Sequence, residues 1–217
     1  MMLVSAAHGT DDKLSLQLKA DYYERQIANT AIETNVRLGY LDSLLHTEPS
    51  SRARLWLKRG ELLDEACRFP EALAVYDDII SHQKDYSLSE VCRVLHRYIL
   101  LQNSSSDYSK SVAAAHKLLD IKKPDSLRYY DFHANFLLAE LYLSFADMPR
   151  MKHFINESEK SLTTLRGLPA DNLNHFIAIL YSLKGEAARQ ENNLDLAFKE
   201  FDIARKLTTN IAHKMAL

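Results

Sequence analysis

The stretch RLWLKRGELLDEACRFPEALAVYDDIIS, residues 54–81, decides the fold. Trp56, Gly60 and Leu63 recur at spacings of four and three, so they share one face of a helix. Arg68-Phe69-Pro70-Glu71 then breaks the pattern, and Pro70 suits the first turn of a new helix. Ala72, Leu73, Val75, Tyr76 and Ile79 mark a second amphipathic helix. The segment therefore reads as a tight helix-turn-helix hairpin.

The same layout returns at residues 180–207, LYSLKGEAARQENNLDLAFKEFDIARKL. Tyr181, Gly185 and Ala188 stand where Trp56, Gly60 and Leu63 stood, Asn192-Asn193-Leu194-Asp195 is the turn, and Ala197, Phe201 and Ala204 replace Ala72, Tyr76 and Ile79. All six positions are displaced by 125 residues. The two hairpins resemble the tetratricopeptide repeat, whose pattern sets a bulky aromatic four residues before a Gly, then Ala, an aromatic and Ala in the second helix. The physical basis is packing: Gly and Ala let antiparallel helices approach, and aromatics fill the groove between them. The resemblance implies an all-α fold, an α-α superhelix built as a right-handed solenoid of antiparallel helix hairpins.

Outward from these two hairpins the pattern weakens. Between them, helices are expected over 91–102, 108–121, 128–145 and 151–165, with Asn103-Ser104-Ser105-Ser106-Asp107 and Asp147-Met148-Pro149 as turns. Ala115 stands where the aromatic belongs. Ala139 and Tyr142 match the small and aromatic positions of a first helix, and Met151, Ile155 and Ser158 stand in for Ala, aromatic and Ala. The spacing exceeds the 34-residue repeat, which predicts lengthened helices or loops, above all around Gly167-Leu168-Pro169-Ala170-Asp171. The array thus spans 49–217, with hairpins near 52–82, 88–122, 126–166 and 173–208, and residues 210–217 read as the start of a further first helix. Residues 11–48 read as capping helices, with an N-cap at Thr10-Asp11-Asp12 and a stop at Glu48-Pro49-Ser50-Ser51.

Residues 1–10 are read as disordered or as a signal-peptide remnant. Met1-Met2-Leu3-Val4-Ser5-Ala6-Ala7 ends in small residues at cleavage-site spacing but lacks a basic region. Two readings stand: the tail of a secretory signal, giving a periplasmic chain, or an ordinary cytoplasmic start. The signal-like tail and the unfinished last repeat together suggest the sensory, ligand-binding region of a larger bacterial signalling or transcriptional regulator.

Composition excludes several classes. Of 217 residues only 5 are Gly and 5 Pro, too few for a many-turned β fold. A formal net charge of −2 gives no footprint for direct nucleic-acid binding. No apolar run is long enough to span a membrane. The 9 His are dispersed, and none sits in HExxH spacing. No phosphate loop, dinucleotide turn or nucleophile elbow occurs. His96 follows Cys92 by one helical turn, but no third orienting group accompanies them. Cys67 and Cys92 form no CxxC site, and their spacing does not decide whether they are bridged. No catalytic, metal or cofactor residues are therefore assigned, and the chain is read as a non-enzyme. Tyr129-Tyr130-Asp131-Phe132 cannot all face inward, so Tyr129 or Tyr130 is a candidate contact residue.

In tetratricopeptide repeats the first helix of each hairpin lines the concave surface, where extended peptides are often held. Carried over by register, the candidate peptide-binding residues are Arg54, Leu57, Lys58, Glu61 and Asp64, then Arg93, His96 and Arg97, then Phe136, Glu140, Ser182, Glu186 and Arg189. The subtype that clamps a C-terminal carboxylate is disfavoured, because Leu57 and Glu61 occupy its first Lys and Asn places. Arg54, Lys58, Arg93 and Arg97 cluster near the first hairpins, which predicts a ligand segment of acidic character near Arg93 and Arg97. The implied function is protein or peptide binding by a non-catalytic repeat scaffold.

Overall fold

The computed structural model describes residues 4–47, 52–104 and 107–215, and the side chains of 16–46, 52–104 and 107–208. Among the described residues there are ten α-helices and no strands: α1 (Val4–Ala28), α2 (Thr34–Thr47), α3 (Arg52–Glu65), α4 (Phe69–Ser81), α5 (Leu88–Ser104), α6 (Tyr108–Asp120), α7 (Tyr129–Ser144), α8 (Met148–Thr164), α9 (Ala170–Gln190) and α10 (Leu194–Met215). The all-α architecture of paired antiparallel helices is the expected one. The chain forms two compact units, residues 1–87 and 88–217.

In unit 1, α1 packs on α2, α2 on α3 and α3 on α4. Leu41, Leu44, Leu62, Leu63, Tyr76 and Ile79 are fully buried, each contributing on the order of 1.5–3 kcal/mol of transfer free energy. The first pair of helices breaks at 29–33, so residues 4–47 form two helices. α1 already begins at Val4, inside the segment read as disordered or as a signal remnant. A buried cation ties this pair down: Arg37 donates from Nε to the Ile27 carbonyl at 2.9 Å and from Nη1 to Glu65 at 2.6 Å.

In unit 2, each hairpin packs internally, each second helix packs on the next first helix, and α5, α7 and α9 lie side by side. Phe132, Leu138, Met151, Leu95, Ile99 and Leu118 fill the core.

The tight turns share one solution. Cys67, Ala146 and Asn192 all take left-handed backbone, with φ of 57°, 55° and 58°. At each, two backbone bonds close the preceding helix: Arg68 N–H to Leu63 at 2.8 Å, Asp147 N–H to Tyr142 at 2.9 Å and Asn193 N–H to Ala188 at 2.9 Å, each joined by the bond of the left-handed residue itself. This pattern satisfies carbonyls that a helix end would leave bare. The residue that follows caps the next helix: Asp147 accepts from Arg150 N–H at 3.2 Å and Asn193 from Leu196 N–H at 3.2 Å. Asp107 closes α5 through Gln102 and caps α6 in the same way. Arg68, Asp107, Asp147 and Asn193 thus mark one register, with separations of 39, 40 and 46 residues. The last and longest separation holds the 165–169 loop, where Gly167 sits at φ 73°.

The glycines of the two deciding hairpins are steric necessities. A Cβ on Gly60 would lie 2.6 Å from Tyr76 Cε1, and one on Gly185 would lie 2.7 Å from Phe201 Cδ1 and Cε1. The register explains Ala115 as well. It falls at the Tyr76 position, and Ile99 falls at the Gly60 position, both fully buried. The second hairpin keeps the combined volume and exchanges which helix supplies the large side chain. A difference appears at the C-terminal end: α10 runs unbroken to Met215, so no new helix starts at 210. Cys67 is exposed and Cys92 buried, and both are free thiols.

Candidate binding face

The candidate site lies on α5, α7 and α9, the first helices of the three hairpins of unit 2. On α7, Phe136, Glu140, Leu143 and Ser144 recur at spacings of four, three and one, a stripe along one side of the helix. On α9, Ile179, Ser182, Leu183, Glu186 and Gln190 form the facing stripe. Together with Phe201 of α10 they enclose an open cleft of about 570 Å³. Four of the expected residues, Phe136, Glu140, Ser182 and Glu186, come together here. Gly185 explains why Phe201 reaches the cleft: the close approach that excludes a Cβ brings the ring under α9.

The carboxylates differ. Glu186 is held by Arg189 at 2.7 Å, so Arg189 stands beside the cleft as its partner and does not line it. Glu140 reaches solvent at the mouth, yet the crowding helices desolvate its carboxyl and push it above the usual carboxylate range, with no charge or hydrogen bond among the causes.

At the other end of this face the side chains are aromatic and imidazole. His96 of α5 lies 4.6 Å from His133 of α7, ring centre to ring centre, and 5.9 Å from Tyr130. His133 also meets Phe176 of α9 edge-on at 4.9 Å, and Phe176 stacks on Phe132 at 4.9 Å. Burial drives the His96 imidazole down to about 4, assisted by the Arg97 charge. Burial and the neighbouring His96 and His175 drive His133 to about 3. Both rings are therefore neutral at physiological pH and act as polar-edged aromatics. Tyr130 is buried and Tyr129, its ring tilted against it at 4.2 Å, keeps partial access. Arg93 and Arg97 are exposed on the same helix as His96.

The expected residues of unit 1 do not assemble into a groove. Leu57 and Asp64 are buried, at 4% and 8% exposure. Tyr76 donates toward Asp64 at 3.5 Å, making that carboxylate part of the hairpin core. Arg54 pairs with Glu24 of α1 at 2.5 Å, and Lys58 pairs with Glu61 one turn away at 3.5 Å. The α1–α2 pair packs on α3, so the register that exposes Ser182 and Glu186 in unit 2 is partly covered in unit 1. Here a smaller cleft of about 320 Å³ lies beside Trp56, lined by Arg52, Asp78, His82, Asp85 and Tyr86. The Arg52 and Arg59 guanidiniums lie over the Trp56 ring, 5.8 and 5.6 Å from its centre.

Two structural groups escaped the sequence reading. Lys123, in the link between α6 and α7, is buried; its ammonium donates to the Ile121 carbonyl at 2.9 Å and to Asp131 at 2.5 Å. Phe176, which completes the aromatic cluster, lies in the extra turn of α9, outside the repeat pattern. Among the described residues no cluster of three or more His, Cys, Asp or Glu could hold a metal ion. Among them, too, no helix is long and apolar enough to cross a membrane.

No family model matches the chain, and no curated protein matches it. Among solved structures it is similar to that of a MamA protein, the MamA RS-1 ArsTM double mutant. The TM-score is 0.59 at 12% identity, over 90% of this chain and 95% of that one. At this identity the likeness establishes the helical-hairpin fold alone.

Proposed function

We propose that this chain is a non-catalytic helical-repeat scaffold that holds a polypeptide segment along the face formed by α5, α7 and α9. The observation that carries the reading is the cleft between the Phe136–Glu140 stripe and the Ile179–Glu186 stripe. It combines an apolar floor with polar groups at its rim, the composition of a segment-binding groove. The repeat fold supports the same reading, since stacked hairpins present their first helices as a continuous surface. The Arg93–His96–Arg97 end of this face is assigned to acidic residues of the bound segment.

The test uses the full chain, immobilised and panned against phage displaying random dodecapeptides. Peptides should enrich on the wild-type chain and fail to enrich on Ser182→Arg, which fills the cleft from an exposed position. Absence of enrichment, or enrichment indifferent to Ser182→Arg, would contradict the proposal.

A further inference from the structure

Resting on that reading, we infer that the segment seated between α7 and α9 is basic and apolar: a Lys or Arg lays its methylene stem on Phe136, Ile179 and Leu183 and brings its cation to Glu140. The neighbouring cations are already engaged: Arg189 with Glu186, Lys152 with Glu191 and Lys184 with Glu159. Glu140 has no ion-pair or hydrogen-bond partner among the described residues, and desolvation alone acts on it. An unpaired carboxylate at the mouth of an apolar cleft offers a seat for a cation, and a ligand that excludes water from the cleft strengthens that pair.

The walls select the kind of cation. A small hydrated ion gains nothing from Phe136, Leu143, Ile179, Leu183 and Phe201, which line the cleft. A long aliphatic stem with a charged head matches both parts at once, because Lys and Arg bury their methylenes along apolar surface while the head stays polar. Glu186 extends the same preference. Its bond to Arg189 joins two exposed groups within one helical turn, a pair worth at most about 1 kcal/mol. A ligand cation can displace Arg189 with little cost, giving a second basic residue its own carboxylate. The occupant is therefore a protein segment in which basic and apolar residues alternate within a few positions.

The experiment reads the sequences selected on the wild-type chain and measures the tightest synthetic peptide by fluorescence anisotropy against Glu140→Gln and Glu140→Lys. Wild-type selection should enrich Lys or Arg within four residues of Leu, Ile, Phe or Met. Affinity should fall about tenfold in Glu140→Gln, the size of one charge-assisted hydrogen bond, and further in Glu140→Lys. Peptides that enrich at the cleft with no basic preference, or bind Glu140→Gln as well as wild type, overturn this inference and leave groove binding standing. No enrichment at all overturns both. Sedimentation of the unliganded chain should show a concentration-independent monomer; self-association abolished by Glu140→Lys would place a second copy in the cleft and overturn the peptide assignment. Circular dichroism melts of both variants check folding, which should be retained because the Glu140 side chain reaches the surface.

Discussion

Gly60→Ala sets two opposed terms against each other in a fully helical site. Alanine is favoured over glycine inside a helix by about 0.8–1 kcal/mol. Against this, the new methyl would sit 2.6 Å from Tyr76 Cε1, 3.0 Å from Cδ1 and 3.1 Å from Val75 Cγ1, where carbon contacts are normally about 3.5–4.0 Å apart. Tyr76 is 1% exposed, so its ring has no solvent side to retreat to. Overpacking of this kind costs about 1–3 kcal/mol, and the net effect is a loss of up to about 2 kcal/mol. Gly39 is the control within the same unit: it lies inside α2 with nothing within 4 Å of a built Cβ. Gly39→Ala should gain close to the full propensity term. For a chain of this length a kcal/mol moves Tm by about 2–4 °C. Calorimetry should show Gly39→Ala melting a few degrees above wild type and Gly60→Ala several degrees below. Recovery of Gly60→Ala by Tyr76→Leu would locate the clash. A Gly60→Ala Tm at or above that of wild type would mean that the two helices do not approach closely enough to require a glycine.

Asp131→Ala should cost about 3–5 kcal/mol in denaturant melts, because it strands the buried Lys123 ammonium; a loss under 1 kcal/mol would show that Lys123 escapes to water. His96 and His133 hold folded-state values near 4 and 3, below the ordinary 6.5. The unfolded chain therefore takes up protons first, and stability is lost as pH falls below 6.5 toward 4. His133→Phe should reduce that loss by about 2 kcal/mol at pH 5, and an unchanged acid limb would contradict the assignment. Glu140 behaves oppositely, since its folded carboxyl is raised above the ordinary 4.5. Its contribution erodes as pH rises through the folded value, so Glu140→Gln should match wild type in acid and be the more stable of the two at neutral pH, by thermal melts in parallel buffers.

The hairpins could be read from sequence where packing demands one residue type. Gly60 against Tyr76 and Gly185 against Phe201 are forced by sterics, so the repeat shows through at those positions. The second hairpin was expected near 88–122 from periodicity but departs from the repeat residues, because Ile99 and Ala115 satisfy the same volume with the sizes exchanged. Its turn was expected at Asn103–Asp107, and Asp107 caps α6 as Asp147 and Asn193 cap the later helices. The candidate cleft follows from the same register as the repeat: spacing along α7 and α9 places Phe136, Glu140, Ser182 and Glu186 along one cleft. Register failed in unit 1 because it says nothing about what covers a helix. Leu57 is buried, and Arg54 is taken up by Glu24. Lys123 reads as a surface cation until the turn that carries it brings Asp131 within 2.5 Å. The imidazole pair depends on α5 and α7 being neighbours, a contact between residues 37 positions apart that no local motif announces.

Binding of a polypeptide segment on the face of α7 and α9 can be tested where it occurs. The most direct measurement is photo-cross-linking of the tightest selected peptide, carrying a diazirine beside its basic residue, with the adducts mapped by mass spectrometry. Adducts should fall on Phe136, Ser182 and their neighbours along the two stripes and be lost on competition with unlabelled peptide. Adducts concentrated on α8, on the outer side of α10, or on unit 1 would contradict it.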